Sequence, residues 1–432
     1  MSVAVIPFVG PAPGKRRNSI VVAVALAIAL PCGTGYAPEA GEMQHVIAED
    51  LYRQAEAAYA DGRRTEASAL LDTLVAQRPI QGGAWLDASI LYCRLGNLEA
   101  SRAVLETLRR EADPPDAIRQ VIDLRMADTC SEQFARTGFY AAGSGGWSSN
   151  ANFAPSVTTI TLAPGAPFQT LALAPGAEAR SDAFVNLDLF GEAPLPGTDR
   201  WSVTGTFSAR QYRSVRQFDS ALAAGGVGYQ RWLGDGLFEG RLNAGQYWLG
   251  DRPYQHFASL QGGYWFGQQR FWGMPARVGA EVAVGELRYD SNPLYDTRRI
   301  ELHAKLEFQP TAFANALIVA GPAWERPVHD RPGGPRFGYV MTAALNLQMS
   351  GGSALSLSYQ LQSLQDSQPY QPVFFGDIKR RQTIRQWSAL YAIPTAARTQ
   401  VYVQIGRQQV DDSIAIFSYT VLTGSVGLTY SY

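Results

Sequence analysis

Leu422-Thr423-Gly424-Ser425-Val426-Gly427-Leu428-Thr429-Tyr430-Ser431-Tyr432 closes the chain. Leu422, Val426, Leu428, Tyr430 and Tyr432 fall on one face of an extended segment. Thr423, Ser425, Gly427, Thr429 and Ser431 fall on the other, because successive side chains of a strand point to opposite sides. A strand with lipid outside and water inside requires this period of two, so the segment predicts a transmembrane β-strand that ends the protein.

The same alternation recurs upstream. Leu355, Leu357, Tyr359 and Leu361 alternate with Ser356, Ser358, Gln360 and Gln362. Ile300, Leu302, Ala304, Leu306 and Phe308 alternate with Arg299, Glu301, His303, Lys305 and Glu307. Charges at every second position would be costly against lipid, which assigns them to a wet lumen. A soluble sandwich strand also alternates. Three features favour the barrel: segments of about ten to fifteen residues, longer than usual soluble strands, aromatic residues at segment ends, and a secretory leader.

That leader reads as residues 1–37, with Lys15, Arg16 and Arg17 ahead of an apolar run at 20–30 and small residues near 33–37. The run is too short to span a bilayer as a helix. Pro31 before Cys32 is wrong for a lipidation box. The remaining cysteines, Cys93 and Cys130, form an even pair in a disulfide-permissive compartment; a bridge and two separately buried thiols are both open.

Residues 44–128 change character, becoming rich in Ala, Leu, Glu and Arg with helical spacing. A period of about 34 residues aligns Gly62 with Gly96, Ala67 with Ser101, Leu71 with Leu105 and Leu74 with Leu108. This predicts two tetratricopeptide-like units, with a further helix near 116–128 as a cap. Such a platform can hold a segment of another protein or serve only as a spacer.

From 135 to 432 candidate strands begin near 135, 181, 200, 217, 236, 253, 275, 298, 313, 336, 353, 380, 397 and 416. The expected fold class is thus α plus transmembrane β: a short periplasmic helical domain, then an antiparallel outer-membrane barrel of about 14 strands. Gly234-Asp235, Ser350-Gly351-Gly352 and Pro394-Thr395-Ala396 read as short periplasmic turns. The periplasmic connection 191–199 reads as longer. Stretches 148–180, 290–296, 325–334 and 366–379 read as outside loops. The lumen-facing candidates are Glu239, Arg241, Glu281, Arg299, Glu301, His303, Lys305 and Glu307, whose mixed signs describe no simple polyanion or polycation path.

A leader, a short repeat domain and a 14-strand barrel, in that order, resemble the surface lipoprotein assembly modifier family. The local resemblance is greatest at Gly145-Gly146-Trp147-Ser148-Ser149-Asn150-Ala151-Asn152-Phe153-Ala154-Pro155, at Phe375-Gly376-Asp377 with Arg380-Arg381, and in the closing residues. The resemblance implies a non-enzymatic outer-membrane protein whose periplasmic repeats engage a client protein or its chaperone and whose barrel guides the client outward. Polysaccharide export or passive, porin-like conduction is the alternative. Leu428, Tyr430 and Tyr432 are the expected insertion signal for the barrel-assembly machinery.

Other classes are less well supported. A formal charge of −1 leaves no nucleic-acid footprint, and no cofactor is implied. A rim hydrolase would need one of four histidines, His45, His256, His303 or His329. His303 lies among inward charges and reads as a solvated lumen residue. His256 can face outward, but Ser259 alternates to the opposite face, and no third group stands out to orient the imidazole. Asp411-Asp412 and Asp290-Ser291-Asn292 read as exposed polar loops rather than cation sites.

Overall fold

The computed structural model describes residues 40–77, 82–111, 116–127, 137–162, 170–174, 176–195, 200–267, 269–271, 274–311 and 313–432. The expected leader and Cys130 lie outside them. Five helices come first: α1 (Ala40–Ala60), α2 (Arg64–Ala76), α3 (Gly82–Arg94), α4 (Leu98–Glu111) and α5 (Asp116–Ala127). Among the described residues no helix is long and apolar enough to cross a membrane.

The repeat is visible in the backbone. Gly62 and Gly96, 34 positions apart, adopt φ of 76° and 75° where α1 and α3 end. Arg63 N–H donates to Ala58 O at 2.8 Å, and Asn97 N–H to Tyr92 O at 2.9 Å. This is the six-to-one bond that closes a helix through a left-handed glycine. Ala67, Leu71 and Leu74 of α2 and their counterparts Ser101, Leu105 and Leu108 of α4 are all buried. Ser101 Oγ donates to Ser89 O at 2.9 Å, so the polar member of this set is satisfied. The buried Tyr92 hydroxyl donates to Asp72 at 2.5 Å. Burial, then that carboxylate, hold the phenol above its usual range, so it remains a donor at physiological pH. Cys93 is disulfide-bonded.

Among the described residues, besides short strands at Thr159–Thr161, Thr170–Ala172 and Gln269–Phe271, fourteen long strands follow: β1 (Gly138–Ser148), β2 (Asp182–Pro194), β3 (Trp201–Tyr212), β4 (Ser220–Leu233), β5 (Gly236–Leu249), β6 (Arg252–Trp265), β7 (Met274–Tyr289), β8 (Thr297–Thr311), β9 (Ala314–Pro327), β10 (Arg336–Gln348), β11 (Ala354–Asp366), β12 (Arg381–Ala396), β13 (Thr399–Asp412) and β14 (Tyr419–Ser431). Each pairs antiparallel with its neighbours, and β14 returns to pair with β1, for example Tyr430 with Ala141 and Val426 with Gly145. The barrel is closed, which removes the free edges that an open sheet would present. Each strand starts within three residues of the position expected from alternation. Phe139 and Tyr432 exchange N–H···O bonds at 3.2 and 2.9 Å, so the barrel begins and ends at one mouth.

Two connections begin later than expected. β12 runs on to Ala396, past the turn expected at Pro394-Thr395-Ala396, and the true turn is Ala397-Arg398. The register shifts between Pro394 and Ala396, an irregularity that accommodates a residue without an N–H donor. β2 likewise continues to Pro194, so the connection expected at 191–199 begins four residues later. The turns at Gly234-Asp235 and Ser350-Gly351-Gly352 fall where expected, the latter with Gly351 and Gly352 at φ 81° and 82°. The sorting by length fails around β6, however: its connection to β5 on the outer side is only Gly250-Asp251, whereas on the helix side β6 ends at Trp265 and β7 starts at Met274.

The outward face is apolar and open. Leu242, Leu260, Val284 and Ile300 lie side by side on β5 to β8, and all are exposed, Leu260 by 59%. Such a contiguous belt is stable only against lipid or another apolar surface. Aromatic rows flank it. Near the mouth where the chain ends, Trp201 and Tyr229 rings stand 4.8 Å apart. Near the other, Trp324 and Phe337 stand 5.5 Å apart.

Candidate functional site

Alternation places Glu239, Arg241, Glu281, Arg299, Glu301, His303, Lys305 and Glu307 opposite the apolar belt, on the inner wall. β8 carries five of them, and their partners come from β5, β7, β9 and β11. Register explains the gathering: Glu281 of β7 lies across from His303, and Glu325 of β9 across from Arg299. His303 Nδ1 is 3.2 Å from Glu281, and its Nε2 is 2.8 Å from Glu301. The expectation of a solvated histidine is corrected: the imidazole is held between two carboxylates and is only 10% exposed.

Lys305 anchors the lower end of this ladder. Its ammonium lies 3.3 Å from Glu281 and 3.5 Å from Glu239, and 4.3 Å from the centre of the Trp265 ring. The Trp265 indole N–H donates to Glu239 at 2.9 Å. Two glycines make room for this arrangement: a Cβ on Gly263 would come within 3.0 Å of Lys305 Nζ, and one on Gly279 within 2.9 Å of the Trp265 ring. Arg277 faces the same ring at 5.3 Å.

Above His303 the ladder continues through Arg299, which bridges Glu301 and reaches Glu325 at 3.2 Å and Gln362 at 2.9 Å. Arg336 joins Asp366 at 2.9 Å and approaches Glu325 at 3.8 Å. The nearly buried Arg331, from the loop after β9, binds Thr297 Oγ1 at 3.1 Å and Gly334 O at 2.9 Å. A related lock lies on the β12–β13 side, where Arg380 donates to Asp412 at 2.8 Å and lies over the Phe417 ring at 4.1 Å. Asp412 is therefore no exposed loop residue: its side chain is fully buried. Burial, with a hydrogen bond that the phenol donates to Tyr295, pushes the nearby Tyr370 hydroxyl up to about 12, so it is neutral at any physiological pH.

Charges paired in this way are engaged with each other. Arg241 stands apart from the ladder, exposed and in register with Gln261, and Glu307 accepts from Asn315 at 3.1 Å. Sequence reasoning missed Glu325, Arg331, Arg336, Asp366 and Trp265, because only strand pairing brings them to the candidates. Residues of the family-like motifs brace the outer loops. Asn150 exchanges two 2.9 Å bonds with the Ala154 backbone, and Asn152 holds Glu178 O and Arg180 N–H, each at 2.9 Å.

The hydrolase constellation is incomplete. Asp290 stands 3.5 Å from His256 Nδ1, an orienting group that the sequence did not reveal, while Ser259 faces the lumen on the other side of the wall. Among the described residues no group of three His, Cys, Asp or Glu side chains is arranged to hold a metal. Leu428, Tyr430 and Tyr432, the candidate insertion signal, are exposed on the outward face.

Among the described residues the helices meet the barrel at the β4–β5 turn. Asn97 caps α4, its Oδ1 accepting from Ala100 N–H at 3.1 Å. The equivalent residue before α2 is Arg63, which has no acceptor to offer. Asp235, in the β4–β5 turn, substitutes: it accepts from Thr65 N–H at 2.8 Å and from the Thr65 hydroxyl at 3.1 and 3.0 Å. The Arg64 guanidinium lies 4.4 Å over the Trp232 ring beside that turn. Asp235→Ala is expected to cost about 1 kcal/mol at this cap. Hydrogen exchange should then speed up at the first turn of α2 but not at α4; unchanged exchange at α2 would refute the clip.

Residues 58–121 match the tetratricopeptide repeat family. No curated protein matches the sequence. Among solved structures the chain is similar to the anion-selective porin from Comamonas acidovorans, at 10% identity and TM-score 0.37, over 69% of this chain and 99% of that one. It is similar to the outer membrane channel DcaP of Acinetobacter baumannii at 11% identity and TM-score 0.37, over 68% and 96%. It is also similar to CdiB from Acinetobacter baumannii at 9% identity and TM-score 0.35, over 68% and 60%. The chain thus combines a helical region that matches the tetratricopeptide repeat family over 58–121 with a closed antiparallel 14-strand barrel.

Proposed function

We propose that this protein is an outer-membrane translocation or assembly factor that delivers client proteins, either surface lipoproteins or secreted proteins, to the cell surface. In this reading the barrel spans the outer membrane, and the helical repeats stand in the periplasm, where they receive the client or its chaperone. The carrying observation is the clip between α2 and the β4–β5 turn, which holds a protein-binding type of repeat at one mouth of the barrel. A passive pore has no need of such an arm. The inner wall supports the same reading, since charges paired with one another offer little to a charged polymer passing through.

The test compares cells with and without the protein by protease shaving of intact cells and proteomics of surface, medium and periplasm. The expected result is loss of one or a few proteins from the surface, with their accumulation in the periplasm and restoration by the full chain. An unchanged protein profile overturns the reading. Loss of an extracellular polysaccharide, or of small-solute uptake, would then move export of polymer or passive conduction to first place.

A further inference from the structure

The outward face of β6 to β9 carries an unusual row near the mouth away from the helices. Glu286 of β7, Arg298 of β8 and Arg326 of β9 are direct cross-strand neighbours. Arg298 and Arg326 therefore stand opposite each other, with side chains only about 5 Å apart at Cβ, an arrangement that like charges disfavour. Glu286 does not relieve it alone. That one carboxylate already serves Arg288 at 2.5 Å and Arg298 at 3.3 Å. Among the described residues Arg326 has no ion pair, so two guanidinium groups share the Glu286 carboxylate, a third stands unpaired beside them, and this set of four side chains carries an excess of two positive charges.

One step down each strand, about 7 Å nearer the middle of the barrel, the same face turns apolar. Val284, Ile300 and Trp324 form the next row, continued by Leu260. The two rows line one cleft of about 690 Å³. Cations directly above an apolar groove match a molecule with an anionic head and acyl tails.

We propose that this cleft binds an acylated lipid whose headgroup carries phosphate, with the phosphate between Arg298 and Arg326 and an acyl chain along Leu260, Val284 and Ile300. This goes beyond transport and rests only on the membrane-spanning reading of the barrel. Guanidinium groups suit phosphate oxygens because they donate in a planar fork. A phosphate there also removes the repulsion between the two arginines. Seated on the wall, such a lipid would join β7, β8 and β9 from outside, behind the strands that carry the inner ladder.

The test is native mass spectrometry of the full chain in detergent with added bisphosphorylated lipid A, the same lipid dephosphorylated, or inorganic phosphate. The expected result is a lipid A adduct on the wild type, about tenfold weaker on Arg298→Gln/Arg326→Gln and on dephosphorylated lipid, with no adduct from inorganic phosphate. Equal binding by the double variant overturns the proposal, as does equal binding of the dephosphorylated lipid. Saturable binding of inorganic phosphate alone overturns the assignment to lipid. Both arginines are exposed, and retained heat-modifiable gel migration verifies that the variant barrel is folded. Failure of the wild-type protein to partition with outer membranes would instead refute the membrane-spanning reading itself.

Discussion

Asp412→Ala is expected to destabilise the barrel by about 3–5 kcal/mol, the cost of leaving a buried charge without its partner. The side chain is fully buried and accepts from Arg380 Nε at 2.8 Å and from Ile414 N–H at 3.0 Å. Gln382 contributes a longer bond at 3.4 Å. Without the carboxylate, Arg380 loses its direct ion pair, and its contacts with the Phe417 and Tyr370 rings cannot replace it. The outer loop that Arg380 ends should loosen as well, because Tyr370 within it packs on Phe417 at 5.7 Å. Urea unfolding followed by tryptophan fluorescence measures the first effect, and limited proteolysis across 367–380 the second. Asp412→Asn, which keeps an acceptor for Ile414, should lie between wild type and alanine. A loss below about 1 kcal/mol for alanine would show that water replaces the carboxylate and that the lock is not a stability element.

The second large effect is expected at Lys305. Its ammonium is the cation between Glu239 and Glu281, and its side chain is only 5% exposed. Lys305→Met keeps the stem over Trp265 but leaves two carboxylates facing each other. The cost should be about 3 kcal/mol, at the low end for a broken buried pair, because Glu281 and Glu239 are 22% and 33% open to water. A double-variant cycle separates repulsion from packing. Glu281→Gln/Lys305→Met should be more stable than Lys305→Met alone in the same urea titration. If the two changes simply add, the ladder contributes through packing and not through charge.

These residues also show where the sequence stops being informative. Fourteen strands, their starts and the inward set on β8 follow from alternation, a local property: a period of two assigns each side chain to a face whatever the strand pairs with. The repeat was equally legible, since Gly62 and Gly96 close their helices through bonds spanning only six residues. Asp411-Asp412 misled because an acidic pair followed by Ser413 looks like a loop, and nothing nearby in the chain announces Arg380, 32 positions earlier. His256 lacked an orienting group for the same reason, its Asp290 being 34 positions away.

A tetratricopeptide arm, a barrel of about fourteen strands and the face on which each strand residue lies could be read from local pattern alone. Which charges pair, that Asp235 of a barrel turn caps α2, and that Arg298 and Arg326 stand together above an apolar groove came only with the folded barrel. The difference is one of range. Faces and helix ends are set by backbone geometry over a few residues, whereas ion pairs, borrowed caps and surface clefts depend on register between strands, which depends on how the whole barrel closes.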